Sequence, residues 1–208
     1  MYSTDKSTES GKAYMNPGIT ENVILQSVVF EPAKNDGTGQ MVLRFYFEDA
    51  AGMKYLHTEF EVDTVKLTEL AKQWGQPAET VIQGKFLDLG GRVRHILKSF
   101  LPEDQCEVNG TSWENFCSNV VKIAGQAYVG QKFRVKLVLN SKDLVQFPNK
   151  AITPFIQNMS VPNGLKINPK WDRIVPITPD PVAQQAKEAM ADFGDEGVKP
   201  GAVDINLF

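Results

Sequence analysis

Three short runs of this chain put cations and flat rings at every second position. In MVLRFYFE these are Arg44 and Tyr46, in KYLHTE they are Tyr55 and His57, and in KFRVKLVL they are Arg134 and Lys136. Period-two spacing places such residues on one face of a strand. Rings interleaved with positive charge suit single-stranded nucleic acid: each base stacks for roughly 1–3 kcal/mol while cations track the phosphates. Phe147 and Lys150, in the connection after the third run, extend the set. The candidate nucleic-acid contacts are therefore Arg44, Tyr46, Tyr55, His57, Arg134, Lys136, Phe147 and Lys150. Tyr46, Tyr55 and Phe147 are the stackers; Arg44, Arg134, Lys136 and Lys150 take phosphate. The same residues also suit an ordinary solvated strand face chosen for β-propensity and cross-strand pairing.

Catalysis finds little support. The chain has no GxxxxGK(S/T) phosphate loop and no GxSxG elbow, and His57 and His95 have no nucleophile or carboxylate at a recognisable spacing. Cys106 and Cys117 with two histidines are too few ligands at the wrong spacing for zinc, and read as reduced thiols. The expectation is a protein that is not an enzyme and uses neither metal nor cofactor.

The elements that must carry the candidate face follow from periodicity. ENVILQSVVFE, QMVLRFYFED and MKYLHTEFEVD read as three strands of an antiparallel meander. Within them Leu43, Phe45 and Phe47, then Leu56, Thr58, Phe60 and Val62, are expected to face the core. Tyr55, His57, Glu59 and Glu61 are expected to face out. Residues about 63–126 switch to helical spacing, with short helices expected in 65–75, 78–89, 91–101 and, behind the N-cap Ser112, 113–125. Strand pattern returns in QKFRVKLVLN and again in ITPFIQNM, and residues 161–181 carry five prolines without periodicity. Three strands, helices, then two strands is the order of the five-stranded OB-fold barrel, here with an enlarged helical segment between strands three and four.

Charge divides the chain. From Ile177 onward six acids stand against two lysines, which leaves 20 basic and 19 acidic residues ahead of it. A nearly neutral body with a separate acidic arm can bind a polyanion despite the overall net charge of −3. The expected organisation is a flexible arm over 1–18, one domain over 19–176 and an acidic tail over 177–208. No run of 18 apolar residues and no signal-peptide pattern is seen, so a soluble, cytoplasmic protein is expected.

The body order, the acidic proline-bearing segment and the final Asp204-Ile205-Asn206-Leu207-Phe208 together resemble single-stranded DNA-binding proteins of bacteria and phages. PGITENVILQSVVFE, LRFYFEDAAGMKY and GQKFRVKLVLN are similar to phage-encoded members. The resemblance implies protection of exposed single-stranded DNA during phage replication or recombination, without strong sequence preference. It also implies that Asp204, Ile205, Leu207 and Phe208 dock on a polymerase, helicase or primase. Homo-oligomerisation is compatible with this reading. The competing expectation is a non-enzymatic phage assembly protein that uses the barrel as a protein-binding module. Ile205, Leu207 and Phe208 could equally pack on the domain as a last strand.

Overall fold

Alternating large apolar residues build a sheet, and a computed structural model describes it over residues 14–33, 39–148, 153–162 and 164–176. Strands β1 (Gly18–Pro32), β2 (Met41–Glu48) and β3 (Lys54–Glu59) form the expected antiparallel meander. Helices α1 (Thr64–Gln73), α2 (Ala78–Leu97) and α3 (Trp113–Ala124) follow, then β4 (Phe133–Leu139), β5 (Val145–Gln146) and β6 (Ile156–Asn158). Lateral order is β3-β2-β1-β4-β5, with β6 also paired to β4. The described protein is thus mainly sheet, with a helical insert between β3 and β4.

β1 serves two neighbours. Its first half, Gly18 to Val23, pairs with β4, and its second half, from Ile24, pairs with β2. Register shifts between Thr20 and Val23 and between Leu25 and Ser27 mark where it turns from one partner to the other, with Asn22 at φ 58°. Bulges of this kind bend a strand and increase its twist. The ladder among described strands is an open path ending at β3 and β5, so the backbone hydrogen bonds draw an open six-stranded sheet where a five-stranded, partly open barrel was expected. Side chains approach across that opening: the Phe147 N–H donates to Tyr55 Oη at 2.9 Å, and the two rings lie 5.0 Å apart.

The core lies on the inner face of the sheet, where Leu43, Phe45, Phe47, Phe133, Val135 and Leu137 meet α2 and α3. α2 supplies Leu89, Val93, Ile96 and Leu97, a stripe at helical spacing. That stripe explains a difference from expectation. Two helices were expected on either side of Gly90-Gly91, and the structure has one, because burial of this stripe outweighs the poor helix propensity of glycine. Ser112 caps α3 as expected, accepting from the Asn115 N–H at 3.1 Å, and the helix ends at Gly125. Of the fifth strand expected at ITPFIQNM the described residues show β6, and a two-residue β5 appears inside the connection that follows β4.

Candidate nucleic-acid interface

Register fixes which side chains share the outer face of β2 and β3. Tyr46 stands opposite Leu56 and Arg44 opposite Thr58, with Ser27 and Val29 of β1 behind them. Arg44 and Tyr46 do turn outward together, but both are claimed by one carboxylate. Glu31 Oε1 accepts from Arg44 Nη1 at 2.7 Å and from the Tyr46 hydroxyl at 2.5 Å. The hydrogen bond to Glu31 raises the Arg44 pKa; burial and then Glu31 raise that of Tyr46. Arg44 is buried, so its charge is answered within the protein. The half-buried Tyr46 lines an open hollow of about 540 Å³ with Tyr14, Gln26, Lys54 and Leu56.

β3 presents the opposite face from the one expected. Tyr55, His57 and Glu59 are buried, whereas Leu56 and Phe60 are exposed. The cause is a polar network that strand alternation alone does not reveal. Arg92 on α2 reaches Glu59 through two hydrogen bonds, Nε to Oε1 at 2.6 Å and Nη2 to Oε2 at 2.7 Å. His57 Nε2 lies 2.9 Å from the same Oε1. Burial pushes the Glu59 carboxyl upward, but the bonds from Arg92 and His57 outweigh it and hold it below the ordinary value. The His57 ring packs on Phe147 at 4.9 Å, and burial drives the Tyr55 phenol well above its usual range. These rings are interior packing and offer no face to a base. Phe147 is likewise buried, edge-on to Phe47 and 4.6 Å from Phe155.

On β4 the alternation is as expected, but another segment covers its outer face. Lys136 is 0% exposed, and its Nζ donates to Asp172 Oδ2 at 2.7 Å, Thr153 Oγ1 at 3.1 Å and the Lys166 carbonyl at 3.3 Å. A buried ammonium needs these partners, since taking a charge out of water costs several kcal/mol before pairing. Arg134 pairs with Glu21 at 2.9 Å and donates to the Val161 carbonyl at 3.0 Å. The cations expected to take phosphate on β2 and β4 are thus engaged in ion pairs. Lys150, and the tail residues Asp204, Ile205, Leu207 and Phe208, lie outside the described residues.

The covering segment creates a feature that periodicity did not reveal. Asp172 turns inward to Lys136 and also accepts from the Asn168 N–H at 2.8 Å, while the Leu139 N–H donates to the Arg173 carbonyl at 2.7 Å. With Asp172 anchored inward, Trp171 is turned out and left 72% exposed, with Lys170 Nζ 4.9 Å from its ring centroid. Arg173 ties to Asp143 in the β4–β5 turn. That turn is shaped by Asn140 Oδ1, which accepts from Lys142 N and Leu144 N, and Leu144 is exposed. Among the described residues Lys54, Lys142, Lys166 and Lys170 form no ion pair, and neither do Lys66, Lys72, Lys85, Lys122 and Lys132. The available signal was Lys170-Trp171-Asp172-Arg173, a ring between cations in a segment without periodicity.

The arrangement can stack a flat ring and neutralise anions. No group of three or more potential metal ligands occurs among the described residues, and no described helix is long and apolar enough to cross a membrane. Both cysteines are free and buried, with burial pushing the Cys117 thiol up to about 12. No family model, curated protein or solved structure matches the chain.

Proposed function

We propose that this chain binds single-stranded DNA by stacking and charge, without catalysis, and that its sheet is an enlarged OB-type scaffold. The element order supports the scaffold reading, as do the division of β1 between β2 and β4 and the side-chain approach of β3 to β5. The observation that carries the binding reading is Trp171: a large ring held outward by a buried ion pair, with an ammonium beside it and unpaired lysines at positions 142 and 166. Tyr46, with Tyr14, Leu56 and Lys54 around it, is a second stacking position. A net charge near zero over the body leaves a lysine-bearing surface free to meet phosphates, and the acidic arm ending in Phe208 recruits replication proteins. The setting is phage DNA replication or recombination in a bacterial cytoplasm. Titration of a labelled oligo-dT at low and high salt tests the proposal.

A second reading, a phage assembly protein built on a protein-binding module, draws on the exposed apolar residues Phe86 and Leu87 of α2. It requires that no oligonucleotide bind even at low salt.

A further inference from the structure

Tyr46 does not stand alone on the outer face of the sheet. Its hydroxyl is committed to Glu31, so the ring is held in place beside the hollow of about 540 Å³. A hollow of that size takes small flat ligands. Glu48 follows two positions along β2, half-buried, on the same face and lining the same hollow. Across the ladder it faces Lys54, yet among the described residues Glu48 forms no ion pair. Its carboxylate takes one long side-chain hydrogen bond, 3.3 Å from Gln26 Nε2 to Oε2. Gln26 sits at the bulge between Leu25 and Ser27, where a strand re-aims a side chain.

A tight turn leaves the other oxygen open. Asp49 Oδ1 accepts from the Ala51 and Met53 N–H groups at 2.8 and 2.9 Å, which joins β2 to β3 in a few residues. Gly52 holds that turn at φ 79°, a conformation that favours glycine. Even a Cβ built there would stand 4.0 Å from Glu48 Oε1. The hollow therefore sets an anionic acceptor at the edge of a fixed aromatic ring.

We infer that this hollow selects guanine among the bases of a single strand, with Glu48 as the specificity-determining residue. The inference rests on the single-strand reading above and adds a base choice at one position of it. Two residues along a strand span about 7 Å, so a base stacked on Tyr46 carries its edge to the carboxylate. An ionised carboxylate only accepts, and its two oxygens match two parallel N–H donors; Oε2 keeps a lone pair for this beside the bond from Gln26. Guanine presents such a pair, its ring N–H next to its amino group. Thymine has one N–H between two carbonyls, while adenine and cytosine set the amino group beside a lone-pair nitrogen. Each of those three turns a lone pair toward the anion, an unmet polar contact. Lys54 remains available to a phosphate.

Competition anisotropy with the full chain at low salt tests this. Labelled oligo-dT is displaced by unlabelled strands of equal length, either dT alone or dT interrupted at intervals by single dG, dA, dC or deoxyinosine residues. Wild type is expected to bind the dG strand at least about fivefold tighter than dT, the lower end of what a bidentate base contact gives. Deoxyinosine keeps the ring N–H and lacks the amino group, and is expected to lose most of that margin. Glu48→Gln, nearly the same shape but with one acceptor and one donor, is expected to bring the dG-to-dT ratio toward one with an unchanged circular dichroism spectrum. The dA strand separates edge reading from purine stacking, and equal gains for dA and dG overturn the inference. Equal affinity for dG and dT in wild type, or a preference that survives Glu48→Gln, overturns it too and leaves single-strand binding standing. No binding by any strand overturns both.

Discussion

Lys136 Nζ lies 2.7 Å from Asp172 Oδ2, and both side chains are sealed from solvent. The pair joins β4 to a segment that has no secondary structure of its own, and it decides which way Trp171 points. Removing one partner strands the other charge in the interior, which costs about 3–5 kcal/mol. Asp172→Ala should therefore lower the unfolding free energy by that amount, read as a lower urea midpoint with little change in slope. Replacing both groups, as in Lys136→Met with Asp172→Leu, should recover most of the loss. A single variant within about 1 kcal/mol of wild type contradicts the role given to the pair.

Stability should fall in two steps as the solution is acidified. Burial, then Lys98 and Lys136, lower the His95 pKa from its ordinary 6.5. Below pH 6.5 the unfolded chain takes up a proton that the folded chain refuses, so stability declines as pH falls through that window. Glu59 acts lower down. Its folded pKa lies below the ordinary 4.5, so its contribution is complete above 4.5 and is lost as pH falls through the depressed value. Thermal midpoints measured between pH 7.5 and 5 should fall for wild type and flatten for His95→Gln. An equal fall in both removes His95 as the cause.

Paired and unpaired cations should separate in their salt response. For single strands the slope of log affinity against log salt is about −0.7 per phosphate neutralised, so Lys54, Lys142, Lys166 and Lys170 together predict roughly −3. Lys170→Ala should reduce the magnitude by about 0.7. Arg44→Met should leave the slope unchanged, because Glu31 already answers that charge at 2.7 Å. A slope that drops with Arg44→Met and not with Lys170→Ala reverses the assignment.

Much of the frame was legible from periodicity. The β1–β2–β3 meander, the switch to helices, the Ser112 cap and the inward face of β2 all follow from local spacing, because local spacing is what shapes them. The candidate site was far less legible, and two residues show why. Glu59 looked like an outward charge on β3, yet its partner Arg92 lies 33 positions away on α2, and no strand-level pattern contains it. Lys136 has the right alternation for an outward cation, but the segment carrying Asp172 returns over β4 from 36 positions further on. Alternation says which side of a strand a residue takes. It does not say what covers that side. Trp171 was missed for the same reason, since its exposure depends on the neighbour that anchors inward.

The most direct test of single-strand binding is an anisotropy titration of labelled oligo-dT with full-length wild type, Trp171→Ala and Trp171→Phe at low and high salt. Wild type should bind at low salt and weaken as salt rises. Trp171→Ala should lose roughly 5- to 150-fold in affinity, the equivalent of one stacked base, and Trp171→Phe should retain most of it. No binding by wild type at low salt, or equal affinity in wild type and Trp171→Ala, contradicts the account.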